Sequence, residues 1–351
     1  RDVNMNEKVL MKGNEAIAEA AIAAGCRHFF GYPITPQTEV AAYMSKRMPK
    51  IGGVYLQAES EVASINMVLG AGAAGVRVMT STSSPGISLM AEGISYLAGS
   101  DVPCLIVNVQ RGGPGLGGIQ PSQADYFQAT KSTAHGDFHI LVFAPSTVQE
   151  TVDMIATAFE LGDKYRMPAM VLSDGMLGQM MEPVVLPEAR EPDNDSKDWA
   201  VSGHKDKREH NVVNSLYINP QELETLVKAR FERYAEIKEK HQMAEEYLAD
   251  DADIIIVAYG SSSRVSRSAI DAARKQGIKV GMIRPITLWP FPEKVIEKHV
   301  GHAKAFLSVE MSMGQMVDDV KLVVNGRVPV EFYGRTGGMI PTPNEVLEQI
   351  V

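Results

Sequence analysis

Gln57 to Gly75 reads Q-A-E-S-E-V-A-S-I-N-M-V-L-G-A-G-A-A-G, and its reading decides the fold. An extended run from Gly53 to Gln57 gives way here to a segment that reads as a helix from about Ser60, with Glu59 and Glu61 at the turn. Ala63, Gly70, Ala71, Gly72, Ala73 and Ala74 stand where a helix would ordinarily carry bulkier side chains. A glycine inside a helix costs roughly 1 kcal/mol relative to alanine, so glycines in one helix point to a close backbone approach by another element or a ligand. A glutamate in a first helical turn also has a plain reading, since it favours the positive end of the helix dipole and is ordinarily just solvated. On these residues alone both readings stand.

The same strand-to-helix change recurs in both directions along the chain. Upstream, G-N-E-A-I-A-E-A-A-I-A-A-G from Gly13 to Gly25 has helical spacing, with Asn14 as the expected cap and Gly25 as the stop. Arg27 to Tyr32 reads as a strand, broken by Pro33-Ile34-Thr35-Pro36 before a helix from Gln37 to Met44. Downstream, strands are expected at Arg77 to Ser81, Pro103 to Val109, His139 to Phe143 and Pro168 to Ser173, with a helix from Pro145 to Tyr165 capped by Ser146. Strands alternating with helices imply a parallel sheet covered on both faces. Ligands in such folds bind at the carboxyl ends of the strands, which makes Thr35 a candidate contact against the plain reading of a turn threonine.

Two loops are rich in small polar residues and glycine, T-S-T-S-S-P-G at Thr80 to Gly86 and R-G-G-P-G-L-G-G at Arg111 to Gly118. Gly113, Gly115 and Gly118 fall at G-x-G-x-x-G spacing, but Gln120-Pro121 follow where a helix should open, so no dinucleotide fingerprint is read. Arg111 is the more informative residue. At the end of a buried strand its planar fork suits a carboxylate, either a ligand's or an internal acid's.

From about Leu186 the composition shifts. Ala189 to Glu209 is crowded with charge and reads as an exposed connector, and a long helix is expected from Pro220 to Ala249 with Leu223, Leu226, Val227, Phe231, Tyr234 and Ile237 on one stripe. Asp253 to Gly260 opens a second α/β unit, with further strands at Lys279 to Arg284, Ala305 to Glu310 and Val328 to Tyr333. Ser261 to Ser263, at a strand-to-helix turn, are read as helix caps or an anion site. The domain expectation is 1–185, a connector and helix at 186–250, and 251–351.

The 351 residues carry a net charge of -9, which leaves no electrostatic footprint for nucleic acid or an anionic membrane surface. The two cysteines, Cys26 and Cys104, form neither a disulfide framework nor a metal or cluster motif. No apolar run reaches the ~18 residues of a membrane span, and the cytoplasm is the expected compartment. Met5 reads as a natural start, with residues 1–4 a leader or remnant.

Several long motifs, in order, resemble the α-type subunit of the 2-oxoacid:ferredoxin oxidoreductases: G-N-E-A-I-A-E-A-A at Gly13, G-Y-P-I-T-P-Q-T-E at Gly31, Q-A-E-S-E-V-A-S at Gln57, T-S-S-P-G-I-S-L-M at Thr82 and R-P-I-T-L-W-P-F-P at Arg284. The run Arg111 to Gln123 is similar to branched-chain (2-oxoisovalerate) members. The resemblance covers nearly the whole chain. It implies a pyrimidine-binding thiamine diphosphate-fold domain followed by a transketolase C-terminal-like α/β domain, and CoA-dependent oxidative decarboxylation of a 2-oxoacid.

It also implies roles. In such enzymes a glutamate about nine residues before a helix glycine shares a proton with the N1' atom of the cofactor's aminopyrimidine, and Glu61 has that spacing to Gly70. Pro33 and Ile34 are implied beside the cofactor, with Thr35 and Arg111 at the substrate carboxylate. No G-D-G followed by Asn-Asn is present, and Ser173-Asp174-Gly175 is the nearest text, so no metal ligand is expected here. A β-type partner is therefore implied to bring the diphosphate pocket, magnesium and a 4Fe-4S cluster, with γ-type and ferredoxin-like subunits and ferredoxin itself. A 2-oxoglutarate member and a non-catalytic scaffold homologue are the alternatives. Retention of Thr35, Glu61 and Arg111 argues against the scaffold. A 2-oxoglutarate member needs a second cation near Arg111, for which Lys131, His135 and His139 are the neighbours in sequence.

Overall fold

A sheet of seven strands and a sheet of five organise the computed structural model, which describes residues 8–131, 133–192, 197–204 and 206–351. The expected start at Met5 lies outside the described residues. The chain runs β1 (Val9–Lys12), α1 (Gly13–Ala23), β2 (His28–Gly31), α2 (Thr38–Arg47), β3 (Val54–Gln57), α3 (Glu61–Ala73), β4 (Val78–Thr82), α4 (Pro85–Gly99), β5 (Leu105–Gln110), α5 (Tyr126–Thr130), β6 (Leu141–Phe143), α6 (Val148–Tyr165), β7 (Ala169–Asp174), α7 (Gly175–Gln179) and β8 (Met181–Val184). It continues through α8 (Pro220–Lys240), β9 (Ala244–Tyr247), β10 (Ile254–Val257), α9 (Gly260–Lys275), β11 (Val280–Pro285), β12 (Thr287–Trp289), α10 (Glu293–Val300), β13 (Ala305–Glu310), α11 (Met316–Val324), β14 (Val330–Gly334) and α12 (Pro343–Ile350).

The larger sheet has the order β12-β6-β7-β5-β4-β2-β3. All its pairs are parallel except β12 with β6. Its central strands β5 (L-I-V-N-V-Q) and β7 (A-M-V-L-S-D) are buried along their whole length, as expected of strands covered on both faces. The chain moves from β2 outward to β3 and then crosses back to β4 and β5. The direction of winding therefore reverses between β2 and β4, where open α/β sheets form their ligand crevice. The Ser81 hydroxyl donates to Gln37 Oε1 at 2.7 Å across that point, tying β4 to the loop after β2.

The smaller sheet has the order β14-β13-β10-β11-β9, with β9 antiparallel at its edge. Here the structure departs from the sequence reading. The long helix ends at Lys240, and A-E-E-Y, which has helical propensity, forms β9 instead. Pairing with β11 and ion pairs from Glu245 to Arg267 (2.5 Å) and Arg284 (2.7 Å) hold it extended. β12, although it follows β11, returns to pair with β6 of the larger sheet. On α8 only Arg230, Tyr234 and Ile237 are buried, while Leu223 and Phe231 stay exposed.

Three caps also differ. Asn14 lies inside α1 rather than capping it, and its side-chain amide donates to the Pro36 carbonyl and to Glu39 Oε2, both at 2.8 Å. α6 is capped by Thr147, whose Oγ1 accepts from the Glu150 N–H, while Ser146 bonds the Glu150 carboxylate. Ser261 and Ser262 lie inside α9 and do not cap it. Their hydroxyls donate to Asp174 Oδ2 (2.6 Å) and Gln123 Oε1 (2.5 Å), clamping the head of α9 to loops of the larger sheet.

Candidate functional site

The carboxyl-end loops of β2, β3, β4 and β5 carry Thr35, Glu61, Ser84 and Arg111. Glu61 is the first residue of α3, whose start is fixed by Ser60, its hydroxyl accepting from the Ala63 N–H at 3.2 Å. The two acids of the opening stretch are separated by burial, Glu61 being 5% exposed and Glu59 exposed. Among the described residues no hydrogen bond or ion pair reaches the Glu61 carboxylate, which is unusual for a buried charged group.

The space around it is set by α4. A Cβ added at Gly86 would collide with Thr82 Oγ1 and come within 2.9 Å of Glu61 Oε1, so the missing side chain is what lets the head of α4 pack directly against Thr82 and the Glu61 carboxylate. The hydroxyls of Ser64, Thr82 and Ser83 are buried and have no hydrogen-bond partner among the described residues. Gly93 and Gly72 make the close approaches foreseen for the small residues, against Ile65 and Val102 respectively, whereas Gly70 faces open space. A carboxylate at the head of α3 with no partner among the described residues, packed against α4 through Gly86, is suited to share a proton with a ring nitrogen such as that of an aminopyrimidine.

Arg111 follows β5 and lies against Thr35, bonded to it through the backbone. Its Nη1 donates to the Thr35 carbonyl and its Nη2 to the Leu116 carbonyl, both at 3.0 Å. No acid pairs with it among the described residues, and Nε is buried without a partner. Arg111 itself is 8% exposed, whereas Thr35 and Pro33 are exposed and Ile34 half-buried. Beside them lies a cavity of about 280 Å³ lined by Thr35, Pro36, Glu39, Ile119, Gln120 and Gly175 among others. Glu39 is held below the usual carboxylate range. Its partial burial works against this, and donation from Gln179 and Asn14 outweighs it.

The residues named for a second cation do other work. Lys131 pairs with Asp319 at 2.5 Å. His139 stacks on Trp289 at 4.7 Å, and burial, helped by Lys238 and Lys131, pushes its pKa down to about 4. The His135 carbonyl accepts from Ser95 Oγ at 3.0 Å.

Asp174, in the nearest text to a diphosphate motif, is committed to structure. Its carboxylate accepts from the Met176 and Leu177 N–H groups and from Ser261, and burial raises its pKa. Among the described residues, Glu246, Asp250 and His299 are grouped closely enough to hold a metal ion. That cluster sits at the edge of the smaller sheet, where the Lys298 ammonium already lies 2.8 Å from Glu246.

Residues missed by the sequence reading are Ser84, Asn108 and Asp125. The Ser84 hydroxyl donates to Asp125 Oδ2 at 2.5 Å, and the Asn108 amide donates to the same oxygen at 3.0 Å. The Ser/Thr-rich loop was the only signal for Ser84, and nothing in the sequence marked Asp125.

Residues 19–250 match the family described as pyruvate flavodoxin/ferredoxin oxidoreductase, thiamine diphosphate-binding, and residues 252–346 match pyruvate:ferredoxin oxidoreductase core domain II. The ketoisovalerate oxidoreductase subunit VorB of Methanothermobacter thermautotrophicus is 49% identical over 97% of this chain and 96% of its own. The chain belongs to the 2-oxoacid:ferredoxin oxidoreductases. Members of this family are CoA-acylating oxidoreductases whose subunits act together. The family relative 2-oxoglutarate synthase subunit KorA of Methanothermobacter marburgensis is 37% identical over 99% of both chains. Among solved structures, the 2-oxoglutarate:ferredoxin oxidoreductase of Magnetococcus marinus superposes with a TM-score of 0.84 at 28% identity, covering 98% of this chain, which spans 65% of that one. A split-gene transketolase at 13% identity and TM-score 0.60 shows the fold alone. Apart from β12, the strands of the larger sheet and the α3 turn fall within the thiamine diphosphate-binding region of this oxidoreductase family. No helix among the described residues is long and apolar enough to cross a membrane.

Proposed function

We propose that this chain is the α-type subunit of a branched-chain 2-oxoacid:ferredoxin oxidoreductase, oxidising 2-oxoisovalerate to its acyl-CoA. The observation that carries the reading is the Glu61 carboxylate, buried at the switch point of the sheet with no partner of its own among the described residues. When bound, thiamine diphosphate supplies the nucleophilic carbon that attacks the 2-oxo group. What falls to this chain is to hold a proton between Glu61 and the pyrimidine N1', to exclude water through the packed heads of α3 and α4, and to orient the substrate. Pro33 and Ile34 flank the cofactor in this reading, and Thr35 and Arg111 hold the substrate carboxylate.

The substrate assignment is supported by charge. The side chains of Lys131 and His139 are engaged elsewhere, and the cavity beside Thr35 carries the Glu39 carboxylate, which would repel a second substrate carboxylate. This favours a monocarboxylate over 2-oxoglutarate. The high identity to a ketoisovalerate subunit over nearly the whole chain supports the same choice. A β-type subunit would bring the diphosphate pocket, magnesium and a 4Fe-4S cluster. γ-type and ferredoxin-like subunits would complete the assembly that passes electrons to ferredoxin. The buried free thiols of Cys26 and Cys104, the former pushed up to about 12 by burial, accord with a reducing cytoplasm. The test is CoA-dependent reduction of an electron acceptor by the complex with 2-oxoisovalerate, 2-oxoglutarate and pyruvate side by side. Preference for 2-oxoisovalerate is expected, preference for 2-oxoglutarate would reassign the substrate, and no turnover with any would favour a scaffold.

A further inference from the structure

The end of β5 is held by a buried chain of hydrogen bonds that the proposed chemistry does not itself require. Arg111 donates its backbone N–H to Ser84 Oγ at 3.0 Å. That hydroxyl has a single proton and two oxygens within reach, the Arg111 carbonyl at 3.2 Å and Asp125 Oδ2 at 2.5 Å. The shorter, charged acceptor takes the proton, which leaves the hydroxyl's lone pairs turned to the Arg111 N–H. Asn108 locks both members from the neighbouring position on β5, its amide donating to Asp125 Oδ2 at 3.0 Å and its carbonyl accepting the Ser84 N–H at 2.9 Å. The Asp125 N–H in turn donates to Gln110 Oε1 at 3.2 Å.

Ser84 holds this place in an unusual backbone conformation, φ 20° and ψ −76°, which glycine adopts more readily than an L side chain. The hydroxyl is retained at a position where the backbone alone favours its loss. Such outliers concentrate where the side chain has work to do.

We infer that Ser84 and Asp125 are a positioning pair for recognition of the 2-oxoacid carboxylate, fixing the backbone of Arg111 and with it the point at which its guanidinium is presented. The inference rests on the reading of Arg111 as the carboxylate-binding residue. Asp125 acts through Ser84, and neither touches the substrate.

The experiment measures KM and kcat for 2-oxoisovalerate in the assembled enzyme, with melting temperature, for Ser84→Ala, Ser84→Gly, Asp125→Ala, Asp125→Asn, Arg111→Ala and the Ser84→Ala/Arg111→Ala pair. Ser84→Ala should raise KM about fivefold, the size of one ordinary hydrogen bond, with little change in kcat. Ser84→Gly should raise KM as well while leaving the melting temperature unchanged or higher, which a merely structural serine would not do. Asp125→Asn, which keeps an oxygen for the Ser84 hydroxyl, should recover most of the KM lost in Asp125→Ala. In the Arg111→Ala background Ser84→Ala should add nothing further to KM, because the two act as one unit. If Arg111→Ala raises KM while Ser84→Ala and Ser84→Gly leave it at the wild-type value, or if the Ser84→Ala effect persists undiminished without Arg111, the positioning pair is overturned and the role of Arg111 stands. If Arg111→Ala leaves KM unchanged, both are overturned.

Discussion

Two buried glutamates stand beside the heads of helices in the two sheets, and their surroundings are opposite. Glu310, fully buried at the end of β13, accepts hydrogen bonds from Ser308 Oγ (3.0 Å), Ser312 Oγ (2.8 Å) and the N–H groups of Gln315, Met316 and Val317 (3.0, 3.1 and 2.9 Å). Glu61, at the head of α3, has none of this among the described residues. Ser60 already caps the helix, and the missing side chain at Gly86 lets the head of α4 pack close to the carboxylate without bonding it. A carboxylate that closes its own helix belongs to the fold, whereas one that no group among the described residues holds is the candidate for a role outside it.

Exchanging the readouts of these two acids is the sharpest way to break the comparison. Glu61→Gln should cut turnover of the assembled complex by about 10²- to 10⁴-fold, the range for a lost acid–base group, with little change in melting temperature. Glu310→Ala should do the reverse. It strands several donors in the core and should cost about 3 kcal/mol or more in urea unfolding of the chain. If both variants lose stability and activity alike, the distinction is wrong. Arg111→Ala, which removes a charged partner from the proposed substrate carboxylate, should raise KM about 10- to 100-fold. The smallest effect should come from His139. Burial, with Lys238 and Lys131, holds its pKa at about 4 against an ordinary 6.5, so the unfolded chain takes up a proton first as pH falls. Stability present above pH 6.5 is therefore lost as pH drops toward 4. His139→Phe, which keeps the stack on Trp289, should flatten the fall of melting temperature across that window.

The alternating strands and helices of the larger sheet were legible in the sequence because glycine, proline and apolar runs mark each boundary locally. The spacing to Gly70 that singled out Glu61 over Glu59 came from the family resemblance; the two acids do differ in burial, while Gly70 itself faces open space. What could not be read depends on partners distant in sequence. A-E-E-Y becomes β9 because Arg267, Arg284 and β11 wait for it. Ser261 and Ser262 serve Asp174 and Gln123 rather than their own helix. Thr35 and Arg111 were picked separately as strand-end residues, and their direct hydrogen bond appears only once β2 and β5 are placed in one sheet. Asp125 had no local signature, because its meaning lies in Ser84 and Asn108.

The central claim is that Glu61 activates a cofactor completed by a partner subunit. It is tested most directly by the rate at which the thiazolium C2 proton of bound thiamine diphosphate exchanges with deuterium in the assembled complex, for wild type and Glu61→Gln at matched cofactor occupancy. Exchange slowed by about 10²-fold or more is expected in the variant. Exchange at the wild-type rate would contradict it.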